Sequence, residues 1–597
     1  MKTGTMSMNT TTSMINFRVR IFLIGLLFLP SCVKVNTDLG QNLAPREHRY
    51  DVFCETIPLK NIRVQRAEKS FGRSSFRITV GAVKDEEFGL TVKSSAFTLI
   101  PVDSVLNFGR ETEFKSFYLT LSRDSLSMPF GEDPRTPQSL RVYALNDQCD
   151  INNAKEFFYT EDVKKIDQAL IGAEPITDYG LVYSGEDTLN IHFRSEFYNG
   201  LKAKWLAKAT ENENHEKVFR VDHFDTLSNS SYLKDFPGIY LTCDEPAGSS
   251  KGRFNLFQLK LDVNTSTYVI SGNFAELRFR AKYGTNETDP PKDTSFIFLI
   301  GAQSVPTDAA SLPRQEAFNG ISHSPLKVLD GMTLAADGKS YQAGTKIYVE
   351  GGAGLRPVIS AEEIRDSLFR SFAKRKIKDI NKVIIDQASI IFSFKEPANF
   401  DILDQYPQMF APMHSILDSA DFRIYGKTEK IIYTDFPPIT DAGVSAEDQG
   451  MVDRSNLEYS PDISFHTQHL LKLKNPSDED LAKQDIWMFI KAPETIITQA
   501  VSNADADYYN QLMYYSYLNS MYGGGYGGYG GYGYNNYNSY YSMMYYYSMM
   551  NSSSGSTSSV QYLADPARYY NAVLCGPDDA NHPVLRVVYS IPKDCIE

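Results

Sequence analysis

The chain has 597 residues, of which 42% are hydrophobic, 13% aromatic and 22% charged. Such a chain can bury enough apolar surface to form several domains, which excludes a largely disordered protein. Lys and Arg number 60 against 73 Asp and Glu, and the net charge of -13 excludes, for the chain as a whole, the basic surface of a nucleic-acid-binding protein.

The N-terminus has the pattern of a lipoprotein signal peptide. Arg18 and Arg20 precede an apolar run over residues 21–29, which is shorter than the roughly 20 residues needed to span a bilayer. The segment Leu29-Pro30-Ser31-Cys32 resembles a bacterial lipobox, which has a leucine three residues before the acylated cysteine. We therefore predict that residues 1–31 are removed and that Cys32 carries the lipid anchor, since stable anchoring takes more than one acyl chain. The alternative is an ordinary secretory signal that ends beside a structural cysteine.

The mature chain is predicted to be mainly β, with two tandem antiparallel β-sandwich (jelly-roll-like) domains and few helices. Residues 32–60 are predicted to form a polar tether and residues 61–300 an N-terminal β-sandwich, because short apolar runs alternate with clusters of Gly, Pro, Asn and Asp. Residues 301–345, rich in Ser, Pro, Gly and Ala, are predicted to be linker and loops. Residues 346–597 are predicted to form the C-terminal β-sandwich, with a Tyr/Gly-rich low-complexity insertion at 503–564.

Alternation of apolar and polar residues predicts individual strands. A half-buried strand points every second side chain to the core, so apolar residues spaced by two indicate its buried face. The faces predicted in this way are Phe76, Ile78 and Val80; Phe117, Leu119 and Leu121; Leu277, Phe279, Ala281 and Tyr283; Ala388, Ile390, Phe392 and Phe394; and Leu585, Val587 and Tyr589.

The clearest helix of the sequence begins after Ser360. This serine is a favourable N-cap residue, and Glu363 three residues later predicts a capping box. Ile364, Leu368 and Phe372 recur at helical spacing, so they are predicted to form the buried face.

The most unusual segment lies between the last predicted strands. Residues 508–564 contain no charged residue, and the span to residue 547 consists mainly of Tyr, Gly, Met, Ser and Asn. Tyrosine offers a large amphipathic contact area at a small cost in side-chain entropy, which favours a contact with a protein partner. A flexible insertion without a role is the alternative. The residues predicted to make the contact are Tyr522, Tyr526, Tyr529, Tyr532 and Tyr534.

Five cysteines remain beyond Cys32, and an odd number cannot all pair. Export permits disulfides, and the one predicted pair joins Cys575 to Cys595, which bracket the last strand. At least one other cysteine is expected to be a buried free thiol. No CxxC spacing and no Cys/His grouping occurs, so the sequence supports neither a zinc site nor a redox motif.

Residues with catalytic or ligand-binding chemistry are few. His466 and His469 would share one face of a helix and could meet a metal ion, but they could equally flank a strand as polar surface. The glycines at 351, 352 and 354 match no phosphate-binding motif, so they predict a tight turn with positive φ. No GxSxG segment marks a nucleophilic serine. We therefore predict no enzyme activity, no catalytic residue, no metal site and no cofactor.

Several short segments, taken in order, resemble a family of bacterial lipoproteins. Asp38-Leu39-Gly40 with Leu43 and Pro45 fits the DLGxxLxP opening of Bacteroidota lipoproteins grouped under domain of unknown function 4270. Further matching segments are Val80-Gly81, Asp85, Phe88-Gly89, Asp103-Ser104-Val105, Phe236-Pro237-Gly238-Ile239-Tyr240 and Val349-Glu350-Gly351-Gly352-Ala353-Gly354-Leu355. The C-terminal region is also similar to jelly-roll modules of secreted bacterial proteins, with an Asp-Ile-Ser-Phe turn at 462–465, a flat strand and a closing Pro-x-Leu-x-Val-x-Tyr at 583–589.

The resemblance implies a β-rich lipoprotein of the outer membrane, at the cell surface rather than on the periplasmic face, with no established activity. Residues 33–36 lack the acidic residues that usually follow the cysteine of surface-directed lipoproteins, which leaves the side of the membrane open. We predict a non-catalytic binding or scaffolding subunit of a cell-envelope assembly, such as outer-membrane protein biogenesis or export, with protein partners and no nucleic acid. The alternative is a surface glycan-binding module, in which some of the 37 tyrosines would stack on sugars. Only two tryptophans occur, Trp205 and Trp487, and Trp487 lies in an alternating strand, which favours core packing over sugar binding.

Overall fold

The structure of the protein is a computed structural model that describes residues 49–596, apart from several gaps. The gaps are 68, 75–76, 125–134, 179, 222–226, 228–229, 260, 265–268, 287, 289, 302–314, 325–328, 330–331, 398–399, 415, 425–426, 436–449, 499–556 and 565–567. Strands account for 47% of the structure and helices for 17%, and every strand pair is antiparallel within the described residues. The prediction of a mainly β protein with few helices is confirmed.

The first half of the chain contains nineteen strands within the described residues. In chain order they are β1 (Tyr50–Pro58), β2 (Ile62–Arg66), β3 (Arg73–Ser74), β4 (Arg77–Asp85), β5 (Gly89–Phe97), β6 (Leu99–Pro101), β7 (Val105–Ser122), β8 (Gln138–Ala144), β9 (Val182–Tyr183), β10 (Thr188–His192), β11 (Thr210–Glu211), β12 (Lys217–Arg220), β13 (Ile239–Cys243), β14 (Gly252–Gln258), β15 (Leu261–Asn264), β16 (Val269–Gly272), β17 (Phe274–Lys282), β18 (Lys292–Ile300) and β19 (Ala317–His323).

The second half continues with thirteen strands in the part of the chain that the structure describes. They are β20 (Tyr341–Gln342), β21 (Lys346–Glu350), β22 (Leu355–Ile359), β23 (Ile384–Ser393), β24 (Met409–His414), β25 (Ile416–Ile424), β26 (Lys427–Asp435), β27 (Val452–Asp453), β28 (Glu458–Tyr459), β29 (Ile486–Thr498), β30 (Thr557–Ala564), β31 (Asn571–Cys575) and β32 (Val584–Pro592). The α-helices among the described residues are α1 (Ser195–Lys208), α2 (Ser231–Asp235), α3 (Ala361–Lys374), α4 (Ser464–Lys472) and α5 (Asp478–Ala482).

The N-terminal lobe, residues 73–323, has two large sheets around one core. One sheet has the order β11-β12-β7-β17-β18-β6, with β10 also on β7, and the other has the order β14-β4-β5-β13-β8-β9, with β19 on β5. Buried side chains of both sheets meet in a single cluster, as in a sandwich. At its centre the fully buried ring of Trp205 stacks on Phe108, Phe219, Tyr232 and Phe298 at 5.9 to 6.5 Å between ring centroids.

The C-terminal lobe combines residues 50–66 with residues 341–596. One sheet has the order β1-β32-β23-β28-β27 and the other β20-β2-β22-β29-β24. Both sheets, the pair β21 and β31, and the helices α3 and α4 contribute side chains to one core. The first described strand thus pairs with the last strand, and Tyr589 Oη donates to Glu55 across 534 positions of sequence.

The domain boundaries of the structure differ from the predicted ones. The end of the predicted tether, 32–60, is strand β1, and β2, within the predicted N-terminal sandwich 61–300, pairs with β22 of the C-terminal lobe. The predicted linker 301–345 contains β19, which belongs to the N-terminal lobe, and β20, which pairs with β2. Local composition misses these strands because their pairing partners lie hundreds of residues away.

The predicted strand faces are largely as expected. Phe117, Leu119 and Leu121 are at most 1% exposed, and the faces predicted around residues 279, 390 and 587 are likewise buried, although Tyr283 is only partly so. Ile78 and Val80 are buried as predicted, and Phe76 lies outside the described residues. Strand β4 differs from a half-buried strand because residues 77–83 are all buried. It lies between β14 and β5, and side chains cover both of its faces.

Helix α3 confirms the prediction made from Ser360. The Ser360 side chain accepts from Glu363 N, and Ile364, Leu368 and Phe372 are fully buried. In a capping box the Glu363 carboxylate would accept from the backbone N–H of Ser360. Here it accepts instead from the backbone N–H groups of residues 60 and 61, at 2.7 and 2.9 Å. It therefore connects the helix to the entry of β2.

Two local predictions are wrong. Cys575 and Cys595 do not form a disulfide: all five described cysteines are free, Cys54 exposed and the other four buried. The turn at 462–465 leads into helix α4 rather than into a flat strand, because the Asp462 carboxylate accepts from Ser464 N and Ser464 Oγ at the helix start. Every described helix is either too short or too polar to cross a bilayer.

Candidate functional site

The charge-free segment is carried by a two-stranded extension of the C-terminal lobe. Lys491 of β29 pairs with Met409 of β24 on one side and with Ala564 of β30 on the other. Beyond Lys491, the partner of β29 among the described residues is β30 alone, as far as the pair Thr498 and Thr557. We call residues 492–498 and 557–563 the hairpin arm. Seven residues of strand make it about 23 Å long.

The hairpin arm leads directly into the predicted contact segment. Tyr522, Tyr526, Tyr529, Tyr532 and Tyr534 lie outside the described residues, between the two strands of the arm, and Cys32 also lies outside them. The last eight residues of the predicted insertion, 557–564, are strand β30. The sequence did not predict this strand because its apolar residues are few and its partner lies across the insertion.

Buried cationic side chains fix the base of the arm. Arg356 stacks on the ring of Phe489 at 3.9 Å, and Arg568, which is 4% exposed, donates to Pro493 O at 2.9 Å. Lys491 is 2% exposed, and burial lowers its pKa to about 7. The first residues of the arm are therefore held against the lobe, and Ala492 belongs to the lobe core. No sequence pattern marked Arg356, Lys491 or Arg568 as functional.

A second cluster of polar groups lies where the two lobes meet. Glu350, at the end of β21, is fully buried, and its Oε1 accepts from Thr91 Oγ1 of β5 at 3.0 Å. His323 Nδ1 lies 3.6 Å from the same oxygen, and Arg66 Nη1 lies 3.7 Å from Oε2. Burial opposes ionisation, but the charges of His323 and Arg66 and the bond from Thr91 hold the pKa of Glu350 below its ordinary value. One carboxylate thus bonds groups from both lobes.

The glycine-rich turn makes room for this carboxylate. Gly352 and Ala353 have φ of +62° and +61°, as expected for a tight turn, and the turn joins β21 to β22 rather than a strand to a helix. A Cβ atom on Gly354 would lie within 2.6 Å of the Glu350 side chain. The glycines therefore serve the lobe junction, and the phosphate-binding reading has no support from the backbone.

A cavity of about 290 Å³ lies beside the start of helix α3. Its lining includes Arg63, which bonds Asp337 at 2.8 Å and also bonds Asp485, and Asp485 accepts from Ala361 N at 3.0 Å. Burial raises the pKa of Asp485, whereas hydrogen bonds from Ser340 and the neighbouring backbone outweigh burial and lower that of Asp337 to about 2. Glu362 and Asp478 add further negative charge, so the lining disfavours anionic ligands.

Three histidines lie close together in the C-terminal lobe, two of which the sequence analysis singled out. His466 and His469 lie on one side of α4, and the ring of His414 from β24 stacks on His466 at 6.0 Å. His466 Nε2 lies 2.9 Å from Gln484 O, a contact within the lobe. Burial lowers the pKa of His414 to about 4 and that of His466 to about 3. No group of three His, Cys, Asp or Glu side chains in the described ranges is placed to hold a metal ion.

The two tryptophans differ in exposure. Trp205 is fully buried in the N-terminal core, so its faces are occupied by protein rings, and Trp487 is half-buried on β29. Comparisons with known protein families, with curated proteins and with solved structures find no match to this chain. The resemblance to a lipoprotein family therefore stays a prediction.

Proposed function

We propose that the protein is a non-catalytic, lipid-anchored binding or scaffolding subunit of a cell-envelope assembly, and that the hairpin arm presents its Tyr/Gly-rich segment to a protein partner. The observation that carries this proposal is the arm itself. Strand β29 continues for about 23 Å beyond its last pair with β24, with β30 as its partner among the described residues. The insertion between the two strands, together with β30 itself, includes the charge-free residues 508–564.

The chemistry of the segment suits a protein contact. Tyrosine combines an apolar ring with a hydroxyl and loses little side-chain entropy on binding, so a row of tyrosines gives area without a demand for one fixed geometry. The chain as a whole carries a charge of -13, and the segment contributes none of it. An uncharged contact therefore avoids the desolvation of unpaired ions.

The membrane address of the proposal depends on Cys32. Seventeen residues, 33–49, separate this cysteine from the first residue of β1. Fully extended, they reach at most about 60 Å. Lipid on Cys32 would thus hold the C-terminal lobe near the bilayer, on whichever side of the outer membrane the anchor lies. Incorporation of labelled palmitate into the chain, and its loss in Cys32→Ala, tests the address.

Deletion of the segment tests the contact. In the first variant, residues 510–555 of the full chain are replaced by a short Gly-Ser turn. A second variant keeps the length of the segment and carries Tyr→Ser at 522, 526, 529, 532 and 534. After mild detergent extraction and affinity purification, both variants are expected to lose the same stoichiometric partner and to keep the unfolding transition of the unmodified chain. A solitary monomer before any change, or an unchanged partner in both variants, contradicts the proposal.

A further inference from the structure

Strand β1 lies at the open edge of its sheet. It pairs over all nine residues with β32, and among the described residues no strand lies on its other side. An edge strand presents a row of unpaired N–H and C=O groups, and proteins usually protect such an edge with charged side chains, a bulge or a covering segment. The protection of β1 can be judged from its hydrogen bonds and its exposed residues.

The hydrogen bonds show which residues face the open edge. Lys593 N donates to Arg49 O at 2.8 Å, and Leu59 N donates to Pro583 O at 3.0 Å, at the two ends of the ladder. Bonded and non-bonded pairs alternate in an antiparallel ladder, so the odd-numbered residues of β1 bond to β32. The backbone polar groups of the even-numbered residues, 50 to 58, therefore point away from the sheet.

The side chains on these even-numbered residues are exposed and uncharged. Val52 is 64% exposed and Tyr50 is 49% exposed, and Cys54, Thr56 and Pro58 are exposed as well. Free Cys54 is the only exposed cysteine among the described ones. The open edge thus lacks the charges that would prevent another strand from pairing with it, and Pro58, the one proline of β1, restricts pairing only at the last residue of the strand.

The acidic residues of β1 point to the other face, where they are paired. Asp51 Oδ1 lies 3.3 Å from Lys593 Nζ. Glu55 accepts from Arg375 and from Tyr589, the latter at 3.1 Å. Asp51 and Glu55 therefore add no unpaired negative charge to the open edge, although the chain as a whole is acidic.

We propose that β1 pairs with β1 of a second copy of this chain in an antiparallel ladder centred on Cys54. Cys54 is the midpoint of the strand, so complete pairing places it opposite Cys54 of the partner subunit and joins the two sheets across a two-fold axis. The ladder uses the outward C=O groups of the even-numbered residues and the N–H groups of residues 50, 52, 54 and 56 on both strands. Pro58 has no N–H, so the pair that it forms with Tyr50 at each end of the ladder has one hydrogen bond instead of two. This inference is independent of the function proposed for the hairpin arm.

Charge and symmetry favour a second copy as the occupant. In this register Val52 lies opposite Thr56 of the partner subunit, Asp51 opposite Ile57 and Glu55 opposite Phe53. No two like charges are directly opposite, which would destabilise an antiparallel pair. A symmetric ladder also requires an uncharged residue at its centre, and the exposed cysteine meets that requirement.

Cross-linking between engineered cysteines tests the register. The full chain is used with Cys32→Ala, so that Cys54 is the exposed thiol of the described residues. A short bis-maleimide is expected to convert most of the chain to a covalent dimer through Cys54. Val52→Cys and Thr56→Cys, each with Cys54→Ser, should cross-link when mixed but not alone, since each residue lies four positions, about 13 Å, from its own copy.

Charge reversal at the centre tests the dimer without cross-linking. Cys54→Lys alone and Cys54→Glu alone each place like charges opposite, and each should raise the dimer dissociation constant about tenfold. Mixing the two variants should restore the dimer. The mass is measured by light scattering, and the unchanged unfolding transition of each variant confirms that it is folded.

Three outcomes would overturn the proposal. One is a monomeric mass for the unmodified chain at every concentration tested. Another is self-cross-linking of Thr56→Cys as efficient as that of Cys54, which would show random collision. The third is a monomer whose Cys54 does not react with a maleimide, which would show that another part of the chain covers the edge.

Discussion

The two lobes differ in where they place their histidines. The N-terminal lobe has an aromatic core around Trp205, and its buried charges include the ion pairs of Arg73 with Glu316 and of Arg77 with Asp124. Of its described histidines, His192 and His215 are exposed and His323 lies at the junction beside Glu350. The C-terminal lobe instead encloses His414 and His466 together with the buried Lys491 near the hairpin arm. Between pH 7 and pH 5, where histidines titrate, the stability of the lobe that carries the arm and the open edge should therefore depend more strongly on pH.

The difference suggests a division of roles between the two lobes, in which the C-terminal lobe binds partners. The rings stacked around Trp205 do not ionise in acid, so this part of the N-terminal core does not itself respond to a fall in pH. Buried ionisable groups give up stability because each must remain neutral or paired. We interpret the C-terminal lobe as the lobe specialised for contact, and the following changes test that comparison.

The largest expected effect is the loss of the aromatic core. Trp205→Ala should lower the free energy of unfolding of the N-terminal lobe by about 3–5 kcal/mol, because the cavity left by the indole cannot collapse between four rings. Urea unfolding with hydrogen exchange of the two lobes measures it. Trp487→Phe, at a half-buried position of the C-terminal lobe, should cost about 1 kcal/mol or less, and an equal loss in both would contradict the comparison.

Acid should destabilise the C-terminal lobe first. Burial holds the pKa of His414 at about 4 and of His466 at about 3, whereas an unfolded histidine titrates near 6.5. Below about pH 6.5 the unfolded chain binds more protons than the folded chain, so stability falls as pH falls towards the folded pKa values. Each histidine contributes about 1.4 kcal/mol per pH unit, or about 3 kcal/mol in all by pH 5 if their coupling is allowed for.

Hydrogen exchange of each lobe at pH 7 and pH 5 measures this effect. His466→Gln should reduce the pH dependence of the C-terminal lobe by roughly half. His192→Gln, at an exposed position of the N-terminal lobe, is the matched control and should change neither lobe. Equal acid sensitivity of the two lobes would contradict the account.

Removal of the junction charge should weaken the contact between the lobes. Glu350→Gln keeps the size of the side chain but removes the charge that Arg66 and His323 face, at a cost of about 2 kcal/mol. Unfolding should then separate into two transitions. Glu87→Gln removes the exposed ion pair with Lys346 at the same junction and should cost at most about 1 kcal/mol.

The low pKa of Glu350 also predicts a second, more acidic step. A carboxylate whose folded pKa is lowered contributes stability above its unfolded pKa and loses it as pH falls through the folded value. Separation of the lobes should therefore begin below about pH 4, after the histidine effect. The absence of that step from unmodified protein, or its persistence in Glu350→Gln, would show that other groups join the lobes.

The smallest expected effect concerns the base of the arm. Arg568→Met removes the bond to Pro493 O and should lower stability by about 1 kcal/mol while hydrogen exchange of residues 491–498 becomes faster. Arg454→Met, which removes an exposed pair with Asp404, is the control. Unchanged exchange in the arm would mean that Arg568 does not fix its base.

Periodicity predicted the elements of this fold better than their partners. The faces of Phe117 and Ile390 and the helix after Ser360 follow from residue spacing, which depends only on local geometry. The pairing of β1 with β32 does not, because neither strand carries a signal for a partner more than 500 residues away. The pair Cys575 and Cys595 failed for a related reason, since closeness in sequence does not fix the direction of two side chains.

The candidate sites were partly predictable in the same sense. The charge-free tyrosine segment is a compositional feature, so the sequence showed it directly, whereas the arm that holds it depends on the register of β29 with β30. His414 joins His466 only through tertiary structure. Glu350 directly precedes a glycine turn that the sequence predicted. Its contact with Thr91 could not be predicted, because Thr91 belongs to the other lobe.

Photo-cross-linking in cells tests most directly whether the hairpin arm contacts a protein. A benzophenone amino acid replaces Thr498, the last described residue of β29, and in a matched strain it replaces Thr188, an exposed residue of the N-terminal lobe. The account predicts one discrete higher-mass adduct from position 498 that disappears when residues 510–555 are deleted, and none from position 188. No adduct from position 498, or the same adduct from both positions, would contradict it.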